Sequence, residues 1–73
     1  MTRQAIYDRL RAIGVSVESA DAVSEALEPL PDKKVEAFLL CLIGYGYRQV
    51  AKITGVPRST ICDMIHFVSD KCL

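Results

Sequence analysis

The fold is decided by residues 47–68, Tyr47-Arg48-Gln49-Val50-Ala51-Lys52-Ile53-Thr54-Gly55-Val56-Pro57-Arg58-Ser59-Thr60-Ile61-Cys62-Asp63-Met64-Ile65-His66-Phe67-Val68. Two short helices that cross steeply need three things. They need a small residue where their backbones approach, a residue that tolerates positive φ in the turn, and apolar residues anchoring the second helix. Ala51 supplies the first, and Gly55, four residues later, the second. Val56, Ile61 and Ile65 supply the third. Pro57 suits the first turn of the following helix, whose free N–H groups Ser59 or Thr60 can serve. Each feature is common alone; in one register they predict a helix-turn-helix over Tyr47–Val68. The simpler alternative is a plain helical hairpin closed by a glycine cap.

Working outward, Val35, Phe38, Leu39, Leu42 and Ile43 recur at helical spacing and form one apolar stripe. Asp32 can cap that helix, and Gly44-Tyr45-Gly46 breaks it. A preceding helix starts after Ser16 or Ser19, carries Ala20, Val23 and Leu27, and ends near Pro29 ahead of Leu30-Pro31. Its exposed face is acidic, with Glu18, Asp21, Glu25 and Glu28. At the N-terminal end Ile6, Leu10 and Ile13 share a helical stripe between a Thr2 cap and a Gly14 stop. A helix this short is marginal alone, so Met1–Gly14 is expected to dock loosely or fray.

The chain therefore reads as an all-α domain, a small bundle of four to five helices containing a helix-turn-helix. Its expected core is Phe38, Leu39, Leu42, Val50, Ala51, Ile53, Ile61 and Ile65. Seventy-three residues, 51% of them hydrophobic, suffice for one packed domain and argue against global disorder. No repeat, low-complexity stretch or linker divides them.

The strings Leu30-Pro31, Val35-Glu36-Ala37-Phe38-Leu39-Leu40, Gly46-Tyr47-Arg48-Gln49-Val50-Ala51-Lys52 and Gly55-Val56-Pro57-Arg58-Ser59-Thr60-Ile61 together resemble region 4 of bacterial sigma factors. The resemblance covers residues 30–72; residues 1–28 have no counterpart in it. In that family the last helix enters the major groove of a promoter element, while the first helices grip the flap of the RNA polymerase β subunit. The resemblance thus implies two surfaces with different chemistry.

A promoter-reading helix needs cations for phosphates and long polar side chains for base edges. Here the outward face of the last helix is expected to carry Arg58, Ser59, Cys62, Asp63, His66 and Ser69, and from Arg58 onward Arg58 and Lys71 are offset by Asp63 and Asp70. The whole chain has nine basic and nine acidic side chains and a formal net charge of +0, without the basic excess that drives counterion release. Direct DNA contact is expected to be weak, through Arg48, Lys52, Arg58, Ser59 and Asp63.

A protein-binding surface needs apolar and aromatic anchors instead. Tyr45, Tyr47, Phe67, Met64 and Cys41 exceed what so small a core requires, although each can also simply be core. The expected partner-binding set is Tyr45, Tyr47, Arg48 and Lys52 around the turn, followed by Arg58, Cys62 and His66. A small neutral chain of this type resembles phage-encoded regulators that bind host RNA polymerase. That implies inhibition of promoter initiation and, for some members, antitermination. A DNA-binding repressor or activator and a phage assembly or packaging module remain open as alternatives.

The remaining chemistry is sparse. Cys62 and His66 lie at i, i+4, but no second ligand pair completes a zinc site, so no metal or cofactor is expected. His66 is the only histidine, and there is neither a nucleophile–base pair nor a glycine-rich phosphate loop, so neither an enzyme nor a small-molecule substrate is expected. Cys41, Cys62 and Cys72 are an odd number without CxxC spacing, which fits a reducing cytoplasm, bacterial or of a phage-infected cell. The apolar run Ala37–Ile43 is too short to span a bilayer, so no membrane is expected as partner. Arg3, Asp8, Arg9 and Arg11 interrupt any apolar leader core.

Overall fold

The computed structural model describes residues 1–72, with the side chains of residues 1–70. It contains five helices: α1 (Arg3–Ala12), α2 (Val17–Leu27), α3 (Asp32–Ile43), α4 (Tyr47–Thr54) and α5 (Arg58–Cys72). No strand occurs among the described residues. The domain is thus an all-α bundle, and α5 continues past Val68, the end of the predicted helix-turn-helix.

Local chemistry explains the helix boundaries. The Thr2 hydroxyl accepts the Ala5 N–H at 3.1 Å and starts α1. The Ser16 hydroxyl does the same for the Ser19 N–H at 3.3 Å and settles the start of α2. Asp32, expected to cap α3, is instead its first helical residue. Pro31 occupies the cap position and makes no side-chain cap bond. The Asp32 carboxylate meets the Met1 ammonium group, and its charge lies in the first turn, where the helix dipole favours an anion.

The core comes from every helix. Ile6 and Leu10 of α1, Leu27 of α2, Leu39 of α3, Val50 of α4 and Ile61 of α5 are all essentially fully buried. α1 therefore joins the core directly, contrary to the expectation of a loosely docked segment. Its missing support comes from α2, against which it packs most extensively, and from an Arg9–Glu36 guanidinium–carboxylate pair reaching α3. Arg3 reaches Asp21 of α2 at 2.5 Å. Both pairs are substantially exposed, so each contributes at most about 1 kcal/mol; apolar burial does most of the anchoring.

The expected core needs two corrections. Leu42 is 47% exposed and Ile53 is 57% exposed. Leu42 continues the buried Phe38 and Leu39 positions, but it is the penultimate residue of α3 and is left half-exposed there. Ile53 lies outside the sector of α4 that packs inward through Val50, Ala51 and Thr54. Ala51 and Ile65 are only partly buried, packed at the edge of the core. Met64, one of the residues in excess of core needs by sequence, is buried.

Candidate functional site: the face around the α4–α5 turn

Three residues join α4 to α5. Gly55 closes α4 in the left-handed conformation, φ 76°, and its N–H reaches the Ala51 carbonyl at 2.9 Å. Thr54 then ties the turn together. Its hydroxyl donates to the Val50 carbonyl at 2.7 Å and accepts the Val56 N–H at 3.3 Å. Val56 is buried and pins the turn to the core. The Pro57 carbonyl accepts the Ile61 N–H at 3.1 Å, the first helical bond of α5. This hydroxyl clamp by Thr54 was not foreseen from the sequence, although a Thr immediately before a helix-ending Gly is the signal that could have found it.

The structure separates the expected contact residues into groups. Tyr45 and Tyr47, on either side of Gly46, are each 39% exposed. Arg48 and Lys52 are exposed at i, i+4 on the solvent ridge of α4, and Arg58 and Ser59 are exposed at the start of α5. Among the described residues, none of Arg48, Lys52 and Arg58 takes part in an ion pair. Between Glu36 and Asp63 the chain has no carboxylate. The net-neutral molecule thus carries a locally cationic face, while the acidic side chains of α2 are exposed elsewhere.

On α5, Asp63 and His66 are exposed as expected, but Cys62 and Ser69 are half-buried and not outward. Cys62 shares one side of the helix with Arg58, Ile65 and Ser69 at i, i+4, i+7 and i+11. That side turns toward α3. Burial raises the Cys41 thiol pKa above its ordinary value, and the Cys62 thiolate adds to the rise. Cys41 and Cys62 are both free thiols. No three His, Cys, Asp or Glu side chains gather among the described residues; the Cys72 side chain lies outside them.

An apolar groove of about 360 Å³ opens beside this face. Phe38, Ile65 and Val68 line it, with Cys41, Leu42 and Tyr47. The exposure of Leu42 has its explanation here, because Leu42 continues the core stripe into an open groove. A larger depression of about 700 Å³ between α1 and α2 is shallow, and Arg3 and Asp21 in its lining are bonded to each other. Of the eight large apolar side chains that are exposed among the described residues, five fall between residues 42 and 53: Leu42, Ile43, Tyr45, Tyr47 and Ile53. Sequence patterning assigned Leu42, Ile43 and Ile53 to apolar helix faces, and so missed them as surface.

No helix among the described residues is long and apolar enough to cross a membrane. No family model, no curated protein and no solved structure matches the chain.

Proposed function

We propose that this chain regulates transcription by binding bacterial RNA polymerase and so inhibiting promoter initiation. The resemblance of residues 30–72 to sigma region 4 supplies the polymerase. One observation supports a protein contact over a promoter contact: the apolar side chains left exposed cluster at residues 42–53, next to the α4–α5 turn. Phosphate backbones do not reward exposed Leu and Ile, whereas interface centres do. The outer face of α5 adds Asp63 beside His66, where a promoter-reading helix needs cations.

The contact set on this reading is Tyr45, Tyr47, Arg48 and Lys52, with Arg58, Cys62 and His66 at its edge. Capture of purified core polymerase and holoenzyme by the immobilised chain tests it. Tight association that alanine at Tyr47 and Arg48 weakens, with the helical fold retained, is the expected result. No association with either form, together with nanomolar binding of a defined duplex at moderate salt, would overturn it.

The second reading is an operator-binding repressor or activator, favoured by Arg48, Lys52 and Arg58, which make no ion pair among the described residues. On that reading Ser59 and Asp63 would touch the duplex, and Asp63 would accept from a cytosine amino group.

A further inference from the structure

We infer that Cys41 of α3 and Cys62 of α5 form a redox-responsive pair, which a peroxide joins in a disulfide that ties the last helix to α3. The inference goes beyond the polymerase reading and does not depend on it. The ring so closed contains residues 42–61, and with them Tyr45, Tyr47, Arg48, Lys52 and Arg58 of the candidate contact face.

Three observations carry it. First, both thiols lie in the seam between two helices that pack against each other. Cys41 follows the buried Ala37 and Phe38 by one turn, and it lines a groove together with Ile65, Val68 and Ser69 of α5. Cys62 precedes Ile65 by one turn on the same side of α5. Second, both cysteines are free and only half-buried, and the groove beside Cys41, which also has Val23 of α2 in its lining, is open. A small uncharged oxidant such as hydrogen peroxide reaches sulfurs placed in this way, whereas a sealed core shields them. Third, the two groups feel each other's charge. Ionised Cys62 adds to the rise that burial imposes on the Cys41 thiol, and between half-exposed groups such an effect fades quickly with distance. Burial keeps Cys41 protonated, which makes it the slower of the two to react. The Cys62 sulfur therefore attacks the peroxide, breaking the O–O bond, and becomes a sulfenic acid while one water leaves. The Cys41 sulfur then displaces hydroxide from the Cys62 sulfur, and the Cys41 proton leaves with that hydroxide as a second water. Two thiols lose two electrons in all, and one peroxide is reduced to two waters. A transient, regulatory disulfide of this kind is compatible with a reducing compartment.

The test treats the unmodified chain, at low micromolar concentration, with a modest excess of hydrogen peroxide and then counts thiols. Free thiols should fall from three to one. Trypsin cuts after Lys34, Arg48, Arg58 and Lys71, so each cysteine falls in a peptide of its own. Residues 35–48 should be found linked to residues 59–71, and dithiothreitol should separate them. In a Cys72→Ser background the oxidised chain should melt about 10 °C above the reduced one, because the bond restricts the unfolded chain. Cys62→Ser should abolish both the link and the rise, and so should Cys41→Ser; circular dichroism confirms that each variant is folded. A chain that keeps all three thiols overturns the inference. So does a covalent dimer, a link to residues 72–73, or sulfinic acid at Cys62 beside a free Cys41. A bond formed with no rise in melting temperature would lie outside the native seam and would overturn it equally.

Discussion

At Gly55 the backbone takes φ 76°, and a Cβ built there would meet no atom within 4 Å. The cost of a side chain at this position is therefore backbone strain alone. Gly55→Val should destabilise the domain by about 1–3 kcal/mol, and Gly55→Ala by less, because Val adds β-branching to the left-handed penalty. Thermal melts of both variants check the order; an unchanged melting temperature for Gly55→Val would remove the turn assignment. Cys41 gives a second expectation. Its raised pKa comes first from burial and then from the Cys62 thiolate, so its neutral thiol is the form the fold prefers. The sign follows: the associated stability is complete below pH 9.0, the ordinary thiol value, and is lost as pH rises through the folded pKa. Chemical denaturation between neutral pH and pH 10 should show a loss of stability that Cys41→Ala reduces. Cys41 should also react more slowly with iodoacetamide at neutral pH than an exposed thiol does.

Among the elements, α1 and α4 differ most from what their sequences promised. α1 has ten residues and a polar average composition, which on its own describes a fraying helix. Packing reverses that, since Ile6 and Leu10 are fully buried. Ile6→Ala should cost about 2–5 kcal/mol, a large share of the stability of so small a domain. Amide exchange should show Ile6–Leu10 protected nearly as well as Phe38–Leu39; rapid exchange there would return α1 to the status of a loose appendage. α4 has only eight residues, so it packs one narrow sector inward and leaves Ile53 in solvent. Ile53→Ala should accordingly change stability by less than about 0.5 kcal/mol, the range of an exposed site, and equilibrium unfolding measures it. A larger loss would return Ile53 to the core.

Across the whole molecule, charge is balanced in sum and divided in space. Residues 37–62 carry three cations and no carboxylate, while α2 and the residue that caps it expose Glu18, Asp21, Glu25 and Glu28. Three phosphate contacts are the most that Arg48, Lys52 and Arg58 can make. Any duplex binding should therefore weaken with salt at a log–log slope no steeper than about −3, and it should be slight at physiological ionic strength. Titrating labelled duplex at several salt concentrations measures the slope. A steeper one would show that cations beyond this face take part and would favour the operator-binding reading.

Much of the architecture was legible as local chemistry. Thr2 and Ser16 mark helix starts, Gly44 and Gly55 mark stops, and the spacing of Phe38, Leu39, Ile61 and Val68 marks inward faces, because caps, left-handed glycines and helical periodicity act over one or two turns. The aromatic and cationic residues around the turn were also named by type, since polar and aromatic side chains advertise themselves in composition. Periodicity, however, gives a direction around a helix and not the presence of a neighbour in that direction. Whether Leu42 and Ile53 are core or surface depends on where other helices end, and whether α1 frays depends on α2 and α3 covering it. The apolar groove that brings Val23 of α2 beside Phe38, Leu42, Tyr47 and Ile65 exists only because residues distant in sequence come together. Burial is a property of all surrounding elements at once, and no local pattern contains it.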